Sequence, residues 1–419
     1  MTLARRTGSH TTHSHSRWIV AAGGRRDSYE IPIALHEANR LIAFVTDFYT
    51  PLDLAAVRRL TSLLPRAIAG KLKRRYSPDL PSRSVKSCPR ASLKGASGND
   101  WMEYNRVLGK CAGELAARRG AGIVSYAHLA TSAFAEVDTL PKVLIQMQPH
   151  PVAVRNALNS DQFLPDLQEP GLMNELHWPL PVFDTLCRES LLADRCIVNS
   201  NYSRQTLIEN GVNSERISIV PYGVDLDFFT PVNSESGTFK VLFVGQPIRQ
   251  KGLHYLLEAW RKLKLRDAEL HIVSREDRNN SMLSEYSSEF TFSGSLEWKE
   301  LREEYRRADL LCLPSLSEGF GLVTLESLAC GTPVLATVAA GSSELLSDGE
   351  DGFVVAAADL TRLMAALESA YSDRRQLRDM RVAARRKAEK FPWSRFREGI
   401  RGAVGNFEPT LIPSAANHE

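Results

Sequence analysis

Glu318 and Glu326 stand eight residues apart in the run Ser317-Glu318-Gly319-Phe320-Gly321-Leu322-Val323-Thr324-Leu325-Glu326, and Gly331-Thr332-Pro333 follows shortly after. Ahead of the run, residues 308–314 form a short apolar stretch ended by Pro314, the pattern of a buried strand. Behind it, Leu322, Leu325, Glu326, Leu328 and Ala329 fall at helical spacing until Gly331 and Pro333 stop them. Strand, glycine turn and helix therefore follow in that order. The turn sets the backbone N–H groups of residues 319–322 at the positive end of a helix dipole, where an anion such as a diphosphate is favoured.

Glu326 lies about four residues into this helix, or ~6 Å at the usual rise per residue, while Glu318 sits on the strand side. Each ionised carboxylate can accept two hydrogen bonds, as a vicinal diol donates them. A ligand with a central diphosphate, a sugar at one end and a ribose at the other fits that layout. A capped surface helix carrying a stray second glutamate would show the same spacing, and the glycines and the preceding strand argue against it.

The rest of the chain alternates short apolar runs with helical patterns, as a parallel sheet covered on both faces requires. Strands are expected over 18–22, 43–46, 122–126, 142–147 and 195–199, then over 241–244, 270–273, 290–292, 310–313, 334–337 and 353–355. Residues 221–238, with Pro221, Gly223, Pro231 and a Ser/Asn/Gly stretch, have no apolar period and read as a linker. The expected architecture is α/β, with two Rossmann-like doubly wound domains over 17–220 and 239–392 facing a cleft. A disordered tail is expected over 1–16, and a C-terminal helix and tail over 393–419, crossing back to the first domain. In such sheets ligands bind outside the carboxyl ends of the strands, so the Glu318 turn should face the cleft.

At 419 residues the chain exceeds what one core usually supports, and 43% apolar with 24% charged residues is ordinary for a globular protein. No apolar run is long enough to span a bilayer. Residues 1–16 are polar and His-rich without the apolar core of a secretory signal. Six cysteines without C-x-x-C spacing read as reduced thiols, and a cytoplasmic location is expected.

The run from Glu318 to Glu326 resembles the donor-binding signature of the retaining GT-B glycosyltransferases of group 1 (family 4), E-G-F-G-x-x-x-x-E followed by a G-x-P-V strand. Residues 193–200 with Val220-Pro221-Tyr222-Gly223-Val224-Asp225 are similar to that family's interdomain region. Residues 240–245 with Lys251-Gly252 resemble its first C-terminal strand and phosphate loop, and residues 349–355 with Phe391-Pro392-Trp393 resemble its closing segments. The resemblance covers residues 18–393. It implies transfer of a sugar from a nucleotide diphospho-sugar to an acceptor hydroxyl with retention, in polysaccharide or glycolipid assembly. It implies neither metal nor cofactor, the nucleotide sugar being a co-substrate.

Site residues follow from the matched positions. Glu318, Gly319, Phe320, Gly321, Leu322 and Glu326 would hold the donor, and Lys251 would place its ammonium on the diphosphate and stabilise the leaving group. Where the family carries Arg after the strand's glycine, this chain has Gln246. Arg249 is a substitute source of charge, or a solvated loop residue. His150 occupies the position of a family histidine near the scissile bond, which makes it catalytic together with Glu318; without the resemblance, a His before Pro151 reads as a turn residue. Gly24, in the Gly23-Gly24 pair after the first strand, resembles the glycine loop that lets backbone approach the sugar phosphate. Arg25 and Arg26 face acceptor, phosphate or water. His128, after the strand over 122–126, is a weaker acceptor-binding candidate.

Residues 55–94 hold eleven Lys or Arg and one acidic residue, although the chain is only +3. Leu60, Leu63, Leu64, Ile68 and Leu72 recur among these charges at near-helical spacing, describing a basic amphipathic surface suited to anionic lipid headgroups or a polyprenyl-diphosphate acceptor. A solvated helix has the same composition. Nucleic acid fits poorly because no aromatic residues interleave with the charges. Two other functional classes share the fold and the motifs: a sugar-nucleotide epimerase, and a catalytically silent sugar-nucleotide binder.

Overall fold

A computed structural model of the protein describes residues 17–96, 101–163, 177–232, 237–275 and 281–405. The tail expected over 1–16, residues 233–236 of the linker and residues 406–419 lie outside the described residues. Among the described residues, thirteen strands divide into two sheets. The first holds β1 (Trp18–Ala21), β2 (Leu41–Thr46), β3 (Val85–Ser87), β4 (Gly122–Tyr126), β5 (Lys142–Ile145), β6 (Arg195–Val198) and β7 (Ile217–Ile219) in the order β3-β2-β1-β4-β5-β6-β7. The second holds β8 (Phe239–Val244), β9 (Ala268–Val273), β10 (Thr291–Ser293), β11 (Leu310–Leu313), β12 (Val334–Thr337) and β13 (Gly352–Val355) in the order β10-β9-β8-β11-β12-β13.

Neighbouring strands in both sheets pair in parallel. Helices cover both faces, so central strands such as β1, β4 and β11 are buried along their whole length, which is why they read as apolar runs rather than alternating ones. Strand order reverses between β1 and β4 in the first sheet and between β8 and β11 in the second. At such a switch the two crossover helices leave on opposite faces and open a crevice at the carboxyl ends. The Glu318 turn follows β11 and the Lys251 loop follows β8, so both stand at the second crevice.

Two strands, β3 and β7, were not expected; each has three residues and lies at an edge of the first sheet. β5 ends at Ile145, two residues before the expected end.

The C-terminal helix Trp393–Gly405 packs on the first domain, burying Phe396, Ile400 and Val404. Arg397 pairs with Glu30 at 2.7 Å and Glu37 at 3.1 Å, and Arg401 with Glu37 at 2.7 Å, all in or beside the helix Glu30–Glu37. The cleft itself is bridged by polar contacts. The Ser200 hydroxyl donates to the Gly319 carbonyl at 2.7 Å. The Glu344 carboxylate accepts the N–H groups of Asn201 at 2.9 Å and Tyr202 at 2.6 Å, capping the helix Asn201–Glu209 from the opposite domain.

Candidate active site

The turn after β11 is held by its carbonyls. Glu318 O and Phe320 O accept the N–H groups of Gly341 and Ser342 at 2.9 and 2.8 Å, while Gly319 O is taken by Ser200. The helix Val323–Ala329 follows directly, and the first N–H groups of any helix lack an intrahelical acceptor. Gly319 is required by contact: a Cβ there would run into the Met147 carbonyl and the Gln148 backbone at the end of β5. Gly321 is required by conformation, with φ +89°. Domain closure thus brings the β5 end directly against the turn.

Glu318 is buried, and its carboxylate forms an ion pair with the Lys251 ammonium. Lys251 ends the 3-10 turn Arg249–Lys251 after β8. The two residues that the resemblance assigns to the donor are therefore side by side and satisfy one another. Glu326 lies one helical turn deeper. The Tyr305 hydroxyl donates to one of its oxygens at 2.6 Å, and burial pushes its carboxyl up to about 7 against the lowering effect of that hydrogen bond.

Two cavities meet at Glu326 and Trp298. One of about 420 Å³ is walled by the carboxyl ends of three adjacent strands, through Gly245 and Gln246 after β8, Ser274 and Arg275 after β9, and Ser295 and Leu296 after β10, with Arg74 from the first domain. The other, of about 500 Å³, lies between the domains and is lined by Arg25, Asp27, Ser28, Glu30, Leu322 and Glu326 among others. The first suits a flat heterocycle beside a ribose, and the second suits whatever enters from the first domain.

Three expected site residues are deployed otherwise. Arg249 is buried and donates to the Asp161 carbonyl at 2.9 Å and its carboxylate at 3.0 Å, so it is neither a solvated loop residue nor turned toward the donor. His150 is also buried and caps the helix Pro151–Ser160: its Nδ1 accepts from Val152 N–H at 3.3 Å, leaving the proton on Nε2, which donates to Cys187 O at 3.1 Å. Both ring nitrogens are spent inside the first domain. Because β5 stops early, Gln148, not His150, stands exposed against the glycine turn. The Gly24 N–H donates to Asp47 at 2.9 Å, and Asp47 is paired with Arg75 at 2.5 Å, so this amide is not offered to a phosphate.

Several polar residues of the first domain carry no motif. Asp27, half-buried in the turn after β1, accepts the Tyr126 hydroxyl at 2.5 Å; desolvation raises its carboxyl, opposed by hydrogen bonds from Tyr126 and Tyr222. Asp27, Ser28 and Tyr29 all have left-handed backbone, with φ of 45°, 53° and 69°, a strained turn at the cleft. His128 is packed between Trp101 and Trp178, and burial lowers it to about 4. Glu189 accepts the N–H groups of His128 at 2.7 Å and Thr131 at 3.0 Å, and burial raises it to about 7. The only sequence signal for Asp27 and His128 was their place after strands, and Glu189, inside the helix Leu180–Leu192, had none.

Comparison with known proteins places this geometry. The model of the glycosyl transferases group 1 matches residues 227–388. A D-inositol 3-phosphate glycosyltransferase of Pseudarthrobacter chlorophenolicus is 33% identical over 247 residues, which are 53% of this chain and 59% of that protein. An MMP alpha-(1->4)-mannosyltransferase of Mycolicibacterium hassiacum is 32% identical over 204 residues, 47% of this chain and 50% of that one. The chain thus spans between half and three fifths of the length of these relatives. Among solved structures, sucrose-phosphate synthase from Thermosynechococcus elongatus superimposes with TM-score 0.66 at 19% identity, covering 92% of this chain and 98% of its own. Anabaena HepE in complex with UDP-glucose does so with TM-score 0.61 at 16% identity, covering 94% and 100%. Residues 227–388 match the model of the group 1 glycosyltransferases, and the chain as a whole has the two-domain GT-B fold.

Proposed function

We propose that the protein moves a sugar from a nucleoside diphospho-sugar to an acceptor hydroxyl with retention of configuration, in polysaccharide or glycolipid assembly on the cytoplasmic side of a membrane. The observation that carries this reading is the Lys251–Glu318 pair at the β8 and β11 ends, with Glu326 dividing the two cavities. In this reading the base enters the cavity beside Ser274 and Ser295, and the ribose diol donates to Glu326. The diphosphate takes Lys251 away from Glu318, which then accepts from the sugar hydroxyls. The exchange leaves the ammonium paired with the diphosphate and the carboxylate hydrogen-bonded.

As the bond between anomeric carbon and phosphate oxygen breaks, Lys251 stabilises the developing phosphate charge. The acceptor oxygen bonds to the same face of the anomeric carbon, and its proton passes to the departing phosphate. The acceptor is a sugar, glycan or lipid-linked hydroxyl approaching past Arg25 and Asp27. UDP-glucose in the HepE complex supports a nucleotide-sugar donor, and the name of the D-inositol 3-phosphate glycosyltransferase supports an anionic polyol acceptor.

A silent binder is the second reading, and it has its own support. Gln246 stands where the resemblance places an arginine, Arg249 is bound to Asp161, and His150 is bound to Cys187. Mass spectrometry of purified protein with UDP-, GDP-, ADP- and dTDP-sugars, followed by NMR of the product anomers, separates the readings. Selective consumption of one donor with a retained anomer supports transfer; isomerisation of donor alone indicates an epimerase; binding without turnover, with acceptor lipids present, rejects transfer.

A further inference from the structure

We propose that the helices Ala55–Ser62 and Arg66–Lys73 form a docking surface for an anionic lipid bilayer, at the mouth of the cleft. The observation is that both helices are inside out. The first buries only Thr61 and the second only Ala69. Their large apolar side chains face solvent instead, with Leu54 54%, Leu60 64%, Leu63 82% and Ile68 49% exposed. Solvent is a costly partner for four such side chains gathered over fifteen residues.

Charge selects the occupant. Residues 54–78 contain seven Lys or Arg and no acidic residue, and Arg58, Arg59, Arg66, Lys71 and Lys73 are exposed around the leucines. Protruding leucines that enter the acyl boundary, ringed by cations at the headgroup level, match an interfacial surface of anionic lipid. A second copy of the chain would bring like charges together in a two-fold contact, which repels. The segment's end also reaches the site. Arg74 pairs with Glu297 across the cleft and lines the cavity beside Gln246, and Arg75 pairs with Asp47, the acceptor of the Gly24 N–H. A docked bilayer would therefore lie beside the cleft mouth, where a membrane-borne hydroxyl could enter without leaving the lipid surface.

Vesicle co-sedimentation of the full chain, without donor or acceptor, tests this independently of any turnover. Vesicles of phosphatidylcholine containing phosphatidylglycerol should bind the protein, less so in high salt, and phosphatidylcholine alone should not. Leu60→Glu/Leu63→Glu and Arg58→Glu/Arg59→Glu should each weaken binding by at least about tenfold. Circular dichroism and melting should be unchanged in both, because the replaced side chains are already exposed. Equal binding to both vesicle types, or undiminished binding by the leucine variant, would overturn the proposal. So would a dimer in light scattering that the leucine variant disperses while vesicle binding stays as in the wild type.

Discussion

Glu326 shows how a single side chain links burial to ligand binding. Its carboxyl is raised to about 7 because it is buried under Tyr305, so at acid pH it is protonated and can accept from a diol less well. Since the folded value lies above the ordinary carboxylate value, the folded chain keeps a proton that the unfolded chain has lost at intermediate pH. Stability of the free protein from this group is greatest below the ordinary carboxylate range and declines as pH rises through about 7. Donor affinity should run the other way, rising about tenfold from one unit below that value to one unit above it. Calorimetric titration of a nucleotide sugar across this window would check it. The Glu326→Gln variant should bind weakly at every pH, and a wild-type affinity that ignores pH would remove Glu326 from the ribose site. At Lys251, replacement by Met should lower turnover by about a hundredfold or more, as expected for loss of a group that acts on developing charge. Turnover within threefold of wild type, roughly, would mean the ammonium serves only Glu318.

Among elements, the contact between the helix Pro151–Ser160 and the loop after β8 is the most consequential that no motif announced. Asp161, fully buried at the end of that helix, accepts from Arg249 at 3.0 Å and from Tyr255 at 2.9 Å, and pairs with His254 at 3.0 Å. Burial alone would raise its carboxyl, but hydrogen bonds and charge from His254, joined by the Phe163 N–H and Arg249, hold it well below the usual carboxylate range. A depressed carboxylate contributes stability above its unfolded pKa and loses it as pH falls through the folded value, so the joint should fail only in acid below the ordinary carboxylate range. Asp161→Asn removes the buried carboxylate that Arg249 and His254 share and should cost about 3–5 kcal/mol in denaturant unfolding. A loss below about 1 kcal/mol would show that the joint does not depend on this carboxylate. The sequence could not show this because Asp161 and Arg249 lie 88 residues apart. The resemblance puts His150 near the scissile bond; in the structure it caps the helix Pro151–Ser160, and Gln148 stands at the glycine turn.

For the whole molecule, the C-terminal helix ties the second half of the chain to the first. Ending the chain at residue 392 would uncover the surface against which Phe396, Ile400 and Val404 pack and free Glu30 and Glu37 from their arginines. Melting should fall by at least about 5 °C, and an unchanged transition would mean that this helix adds nothing to the joint. The sequence by itself determined the parallel sheets, the strand-turn-helix around Glu318 and the pair of carboxylates eight residues apart, because apolar runs, glycine and proline act over a few neighbouring residues. The three-residue strands β3 and β7 escaped it because an edge of that length leaves too little pattern. Only the tertiary structure decided which charges are spent and which remain for a ligand. Arg249 meets an aspartate 88 residues away, and Glu344 caps a helix 143 residues away. Such pairings depend on how two separately patterned sheets face each other, and no local spacing encodes that.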